Sequence, residues 1–307
     1  MMKNNLIQKN IYPLLSVVLM LLLFCSCDSN KPKQMLIAGS GWKQIVKYDL
    51  TNQKILWRHS LEKGEECNEV SAFSDDAVLY SFKKGAKVVD YNHKELWRYD
   101  APEGTELQSA SITTEGHILL GQCGSPAWIM EFTKEGKMIS KTSFDTGISR
   151  PHRQLRRVRK SLQGNYLVPI FGKGEVWEIN PSGEILRKVS VGGVPFAVVE
   201  LNENRWMVSC GDGHYMLEID PNTEKVLNKM AENEIEEIPF RFVAQCVRLS
   251  NGNTLICNWG GHARKQKTVA TLLELTPDRK VQWNLALSDS LGMISSVDPL
   301  WDEHCMK

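Results

Sequence analysis

The sequence predicts an all-β fold, a six-bladed β-propeller with four strands in each blade. The main observation is a repeated sequence motif that consists of an apolar strand, a polar turn and a second strand, which often ends in Trp. Its copies are spaced by roughly 40 to 50 residues, which is the period of a propeller blade. The six copies begin at Val46, Val88, Met130, Trp177, Leu217 and Leu273.

A second observation is that a hairpin with a tight turn stands ahead of five of these copies. Turn pairs of this type accept positive φ, and the flanking alternation of apolar and β-branched residues is typical of strands. We predict no helix. The five turn pairs are Asp75-Asp76, Glu115-Gly116, Gln163-Gly164, Glu203-Asn204 and Asn251-Gly252.

The first and last strands of the domain predict how the ring closes. The strand over residues 35–39 has no inner strand before it, whereas residues 294–300 have the pattern of an inner strand and no blade of their own. We therefore expect the C-terminal strand to join the N-terminal blade, which removes free sheet edges. A seven-bladed ring is the alternative.

The N-terminal region predicts export and anchoring. Lys3 and Lys9 precede an apolar run, and the segment over residues 1–26 is interpreted as a signal peptide. The run ends in a sequence that resembles a bacterial lipobox, which implies that Cys27 is lipidated; an ordinary cleaved signal is the alternative. Residues 27–33 form a polar tether and residues 34–307 a single propeller domain. We expect a monomer in the cell envelope, held to the membrane through its lipid only.

Composition excludes one class of partner. The chain has 37 Lys and Arg against 36 Asp and Glu, so no global field favours nucleic acid. The cysteines of the mature domain show no metal-ligand spacing, and we expect no metal and mostly buried free thiols. These cysteines are Cys67, Cys123, Cys210, Cys246, Cys257 and Cys305.

Two sets of sequence motifs resemble those of known propeller families. Residues 49–57 and 275–283 are similar to the repeat of PQQ-like (quinoprotein-like) propellers, and residues 162–168 and 249–256 resemble a phrase of arylsulfotransferase-like propellers. The resemblance implies the fold. No acidic calcium cluster or vicinal Cys pair accompanies it, so we expect no PQQ and no other cofactor. A channel histidine is the sulfate acceptor in the second family; only His152 has a comparable position, and its flanking residues differ.

A basic segment over residues 152–160 enters the inner strand of one blade. Alternation places Arg157 and Arg159 on one side of this strand and Arg156 on the other, with Arg153 just ahead of it. Guanidinium groups at a channel mouth suit carboxylate, sulfate or phosphate ligands. The alternative is that these arginines tie neighbouring blades together.

Two further segments are expected on the same face. The loop over residues 258–267 offers Trp259, His262 and Arg264, a combination suited to sugar stacking and acidic ligands. The turn over residues 210–214 places Asp212 beside His214, as a proton-transfer pair or simply as a turn. Within inner strands, Gln108, Gln245, Glu69 and Asp298 either face the channel ligand or bond neighbouring blades.

These features favour a binding module that recognises an acidic oligosaccharide or a protein partner at the channel mouth. The alternative is a lyase or glycosidase acting on an anionic polysaccharide, with His152, His262 or His214 as the proton-transfer residue and arginines that neutralise a uronate. An enzyme requires its histidine for turnover, whereas a binder depends on its arginines. The sequence contains no established catalytic motif, so we expect no enzymatic activity in the first interpretation.

Overall fold

The computed structural model describes residues 32–232, 234–235, 238–261, 270–288 and 290–307. The described part of the propeller domain forms six antiparallel sheets of four strands each. The prediction of an all-β, six-bladed propeller is confirmed, and the seven-bladed alternative is wrong.

The strands follow one another in the order inner to outer within each blade. Blade 1 contains β1 (Gln34–Ala38), β2 (Gln44–Asp49) and β3 (Lys54–Ser60). Blade 2 contains β4 (Glu69–Ser74), β5 (Ala77–Phe82), β6 (Gly85–Asp90) and β7 (Glu95–Asp100). Blade 3 contains β8 (Glu106–Ile112), β9 (Ile118–Cys123), β10 (Ala127–Phe132) and β11 (Met138–Phe144).

The second half of the ring repeats this order. Blade 4 contains β12 (Arg159–Lys160), β13 (Tyr166–Ile170), β14 (Glu175–Ile179) and β15 (Ile185–Ser190). Blade 5 contains β16 (Ala197–Asn202), β17 (Arg205–Cys210), β18 (Tyr215–Ile219) and β19 (Val226–Ala231). Blade 6 contains β20 (Phe242–Arg248), β21 (Thr254–Trp259), β22 (Ala270–Leu275) and β23 (Val281–Ala286), and the last strand is β24 (Ser296–Pro299).

Strand β24 closes the ring by completing blade 1. It pairs antiparallel with β1, so that Leu36 lies opposite Asp298 and Ala38 opposite Ser296. The sheet order of blade 1 is therefore β24-β1-β2-β3. The predicted closure by a C-terminal strand is thus observed, and β24 supplies the inner strand that blade 1 would otherwise lack.

Blade 4 differs from the regular pattern that the sequence predicts. Its inner strand β12 has two residues, and a three-residue 3-10 turn over Pro151–Arg153 precedes it. Between them Leu155 pairs with Ile170, while the N–H of Arg157 bonds to the carbonyl of Phe196 in the next blade. The chain therefore leaves the blade 4 sheet for a few residues, and this detour carries Arg157 into the channel.

Apolar side chains fill the space between blades. Trp57 on β3 donates through Nε1 to the carbonyl of Tyr91 in blade 2 at 2.9 Å. Trp97 on β7 meets Phe132 of blade 3 edge-on, with ring centres 5.5 Å apart. Burial of such faces, at about 25 cal/mol per Å², supplies the main stabilisation between sheets that share no hydrogen-bond ladder. All six cysteines of the domain are free thiols, as predicted, and five of them are buried.

Side chains of the inner strands bond to the backbone of the neighbouring blade. Asp298 accepts from the N–H of Ala72 at 2.7 Å, and Glu69 accepts from the N–H of Ala110 at 3.0 Å. Gln245 both accepts from the N–H and donates to the carbonyl of Val297, at 2.9 and 3.1 Å. These bonds replace the ladder that is missing between blades, so they hold the ring around the channel.

A Gln245→Leu variant should therefore lose stability. It leaves both backbone groups of Val297 buried and unpaired, which costs about 2–4 kcal/mol in the free energy of unfolding. Gln108→Leu is the matched control and should cost less than about 1 kcal/mol, because within the described part of the chain Gln108 bonds to Glu106 alone, and Glu106 keeps two other partners. Urea denaturation followed by Trp fluorescence measures both. Equal losses would contradict the assigned role of Gln245.

Candidate functional site

The loops that join outer to inner strands, and those that join the two middle strands of each blade, lie at one end of the channel. They enclose a cavity of about 200 Å³, here called the mouth pocket. Its polar half is formed by Ser40, Glu66, Asn68, Gln108, His152 and Ser295. Its aromatic half is formed by Phe171, Phe196, Phe242 and Trp259, and Arg156 lies between the two halves.

A larger groove of about 810 Å³ lies along the loops of blades 2 and 3. Its walls carry charged groups that pair with one another, such as Arg98 with Asp100 at 2.7 Å and Lys83 with Glu106 at 3.1 Å. It is open to solvent at the rim of the ring. We place the candidate site at the mouth pocket, where buried polar and aromatic groups converge.

The aromatic half is a continuous wall of edge-to-face contacts. Phe196 meets Phe171 with ring centres 6.4 Å apart and Phe242 at 5.0 Å, and Phe242 meets Trp259 at 5.3 Å. Trp259 also donates through Nε1 to the carbonyl of Ser40 at 3.0 Å. Edge-to-face pairs favour one fixed arrangement. The wall therefore presents rigid ring surface to a ligand.

Arg156 is buried against this wall, with 3 % of its surface exposed. Its guanidinium stacks on Phe171, 4.0 Å from the ring centre, and donates to the carbonyls of His152 at 2.7 Å and Leu155 at 2.9 Å. Burial lowers the pKa of Arg156 to about 10, which leaves it charged at neutral pH. A guanidinium has five N–H donors, and these two bonds use two of them. The side chain also lines the mouth pocket.

His152 and Glu106 form a hydrogen-bonded pair at the rim of the polar half. The imidazole Nδ1 lies 2.8 Å from the Glu106 carboxylate, which also pairs with Lys83 at 3.1 Å. Burial acts to raise the pKa of Glu106, but the hydrogen bonds from His152 and Lys83 outweigh it and leave that pKa lowered. More than half of the His152 side chain is exposed. The pair fixes the imidazole and leaves its second nitrogen for a ligand.

Arg157 lies in the channel beneath the pocket and has no exposed surface. Its guanidinium donates to the carbonyls of Asn68 at 2.9 Å, Ser295 at 2.7 Å and Ala244 at 3.2 Å, and to the side chain of Gln245 at 3.0 Å. These groups belong to blades 1, 2 and 6. Arg157 thus faces the channel. Both of its Nη atoms donate to the protein itself, whereas its buried Nε has no hydrogen-bond partner among the described residues and lies 4.0 Å from Glu69.

Arg159 faces the same side as Arg157, at the other end of the channel. It donates to Glu69 at 2.6 Å and to the carbonyl of Val158 at 2.9 Å. Both buried guanidinium groups therefore bond blades to one another, which is the alternative that the sequence left open. Arg153 is exposed on the rim beside His152.

The remaining predicted residues lie in different places. Asp212 lines the mouth pocket, while His214 is bonded through Nδ1 to the carbonyl of Arg241. Trp259 belongs to the aromatic wall. His262 and Arg264, and the lipidation candidate Cys27, lie outside the described residues.

Three phenylalanines and two glutamates of the site were not predicted. Phe171 directly follows β13, at the position that Trp259 holds at the end of β21 in blade 6, and Phe196 directly precedes β16. A comparison of the repeats in blades 4 and 6 would have indicated Phe171 but not Phe196. Glu66 and Glu106 lie in or next to loops whose approach to the pocket depends on the ring geometry, so the sequence carries no comparable signal for them.

Neither a metal cluster nor a membrane helix occurs in the described part of the chain. No group of three or more His, Cys, Asp or Glu side chains there is arranged to hold a metal ion. None of the described residues belongs to a helix with the length and apolarity that a membrane crossing requires.

The fold and the pocket define a six-bladed β-propeller whose channel is filled beneath one mouth. The chain belongs to the Mal s 1 allergenic protein-like family, whose sequence profile matches residues 30–278. The predicted propeller architecture agrees with this family, but the PQQ-like and arylsulfotransferase-like naming is not confirmed. No curated protein matches the sequence significantly.

Solved structures with the same fold include a protein of unknown function from Bacteroides caccae. It is 40 % identical, covers 88 % of this chain and 99 % of its own, and superposes with a TM-score of 0.83. A streptogramin B lyase (10 % identity, 84 % and 85 % coverage, TM-score 0.55) and virginiamycin B lyase from Staphylococcus aureus (11 %, 85 % and 86 %, 0.56) are also similar. The likeness to the two lyases shows the fold alone.

The lowered pKa of Glu106 predicts a pH dependence of stability. A carboxyl whose pKa is lower in the folded state stabilises the fold above its unfolded pKa of about 4.3, and this contribution is lost as pH falls through the folded value. The stability advantage of the wild type over Glu106→Gln should therefore be constant near neutral pH and shrink below about pH 4. Urea denaturation at neutral pH and at pH values below about 4 measures this difference in the free energy of unfolding.

Glu103→Gln, an exposed substitution in the same loop, serves as the control. The free energy of unfolding of Glu103→Gln should differ little from that of the wild type at every pH. If the difference in free energy of unfolding between the wild type and Glu106→Gln did not change with pH, this would contradict the assigned role of the bonds from His152 and Lys83 to Glu106.

Proposed function

We propose that the protein is a binding module whose mouth pocket holds the terminal sugar ring of an acidic glycan. The observation that carries this proposal is the division of the pocket into an aromatic half and a polar half. A pyranose ring has an apolar face of C–H groups and a rim of hydroxyls. The aromatic wall suits the face, and the polar half suits the rim.

Charge favours one orientation of an acidic sugar. Arg156 and His152 are contributed by one loop, whereas Glu66 and Asp212 come from two other loops of the mouth. A guanidinium binds a carboxylate through charge-assisted hydrogen bonds, and carboxylates accept from hydroxyls. A uronate would therefore direct its carboxylate to Arg156 and place hydroxyls near Glu66 and Asp212, which lie on different sides of the mouth.

The size of the pocket supports recognition of an end group. A volume of about 200 Å³ lies below the roughly 300–1,000 Å³ of pockets that hold a drug-sized ligand. Arg157 fills the channel beneath it, so a chain cannot thread through the ring. One ring fits inside, and the rest of the glycan would pass over the rim beside Arg153.

Lipid anchoring at Cys27, in the cell envelope, forms part of the same proposal. The described chain begins on the face opposite the mouth, where Lys33 bonds to Leu50 and Thr51 in the turn between β2 and β3. The six residues from Cys27 to Lys33 reach at most about 20 Å. An anchor there would hold the turn face toward the membrane and leave the mouth accessible to glycans.

A catalytic role is the second candidate, and the hydrogen bond between His152 and Glu106 favours it. An imidazole held by a carboxylate, close to Arg156, has the groups needed to transfer a proton while a uronate is neutralised. The corresponding activity would be that of a lyase or glycosidase on an anionic polysaccharide.

Binding of a uronate-terminated oligosaccharide, compared with a neutral one of equal length, tests the proposal. The acidic ligand at a hundred times its Kd should stabilise the protein by about 2.7 kcal/mol. Arg156→Lys keeps the charge but loses the planar fork, and should weaken binding by about tenfold or more. Calorimetry and thermal unfolding measure both effects.

Arg187→Lys is the matched control, because Arg187 is likewise held by the protein, here by the Glu178 carboxylate, but lies on β15, away from the mouth. It should leave the affinity unchanged. The binding proposal fails if no uronate-terminated glycan binds, or if Arg156→Lys binds as tightly as the wild type. Cleavage of the glycan by the wild type but not by His152→Ala would establish the catalytic candidate instead.

A further inference from the structure

Two histidines meet at the outer edge between blades 1 and 2, away from the mouth pocket. His59 lies on β3, and His93 lies in the turn between β6 and β7. Their Nδ1 atoms are 3.3 Å apart, while their ring centres are 5.5 Å apart and the ring planes differ by 24°. The two nitrogens therefore lie between the rings, within hydrogen-bonding distance of each other.

This separation matches that of two nitrogens bound to one metal ion. Zinc–nitrogen bonds are about 2.0–2.1 Å long, and two of them at a tetrahedral angle span roughly 3.3–3.4 Å. Imidazole is a preferred ligand of zinc, nickel and copper. The pair supplies two ligands from two different blades, and water can complete the coordination of the ion.

Trp57 holds both imidazoles in place. Its indole plane is within 12° of each imidazole plane, with ring centres 5.8 Å from His59 and 5.6 Å from His93. The indole is itself fixed by its hydrogen bond to the carbonyl of Tyr91 at 2.9 Å. A ring face of this kind also attracts cations. The two ligands are thus pre-oriented, and His93 is exposed, which gives an ion access.

The next blade interface provides an internal comparison. There Trp97 corresponds to Trp57, but Tyr99 stands in the place of His59 and Gly136 in the place of His93. A Cβ at Gly136 would lie 2.5 Å from the Trp97 ring, so that interface has no room for a side chain at this position. The packing tryptophan therefore does not require the histidine pair.

We propose that His59 and His93 form a binding site for one divalent transition-metal ion of the zinc and nickel class, which bridges blades 1 and 2. Bound there, the ion joins the blade that closes the ring to its neighbour. Because only the folded ring brings the two histidines together, the ion should stabilise the folded state.

Titration of the purified full chain with Zn²⁺ and with Ni²⁺ tests this site. Calorimetry should show a saturable site that binds one ion, and thermal unfolding should shift upward with the ion. His59→Gln and His93→Gln should each weaken the affinity by about tenfold or more and remove the thermal shift. His304→Gln, which changes an exposed histidine near the end of the chain, should leave both unchanged.

Three results would overturn the proposal. The first is the absence of saturable binding by the wild type. The second is an affinity that neither His59→Gln nor His93→Gln alters. The third is a loss in one variant alone, which would indicate a single-histidine contact and not a bridge. Circular dichroism of each variant confirms that its fold is retained before the titrations are compared.

Discussion

The hydrogen bonds of Arg157 across the channel are the interaction on which the rest of this structure depends. A six-bladed ring leaves its inner strands side by side without a shared ladder, and Arg157 joins the carbonyls of Asn68, Ser295 and Ala244 on the far side. Burial lowers the pKa of this guanidinium, and the nearby Glu69 carboxylate offsets part of that effect. Oxygen atoms of the neighbouring blades accept from both of its Nη atoms, which offsets part of the cost of burying the charge.

The same arginine decides what kind of site the propeller can offer. Because Arg157 fills the channel, the mouth pocket has a floor and does not continue as a tunnel. The backbone detour that places Arg157 inside also places Arg156 on the opposite side of the chain, against Phe171 and Phe196. One irregular segment therefore closes the channel and supplies the cation of the pocket.

Most of the fold could be predicted from the sequence, whereas the site could be predicted only in part. The repeat period and the unpaired strand at residues 35–39 were sufficient to predict six blades and the closure of the ring, since both of these signals are local sequence patterns. The roles of Arg156, Arg157 and Arg159 could not be separated. Strand alternation indicates on which side of the strand a side chain lies, but not whether hydrogen-bond acceptors are present on that side. Phe171, Phe196 and Phe242 were missed since they are brought together by the ring, from three different blades.

Urea unfolding of Arg157→Met tests this account most directly. The variant leaves three backbone carbonyls buried without their donor, and we predict a loss of about 3–5 kcal/mol in the free energy of unfolding. Arg153→Met, an exposed change four residues earlier, should stay within about 0.5 kcal/mol of the wild type. If Arg157→Met were as stable as Arg153→Met, the ring would not depend on the channel arginine, and the account would be contradicted.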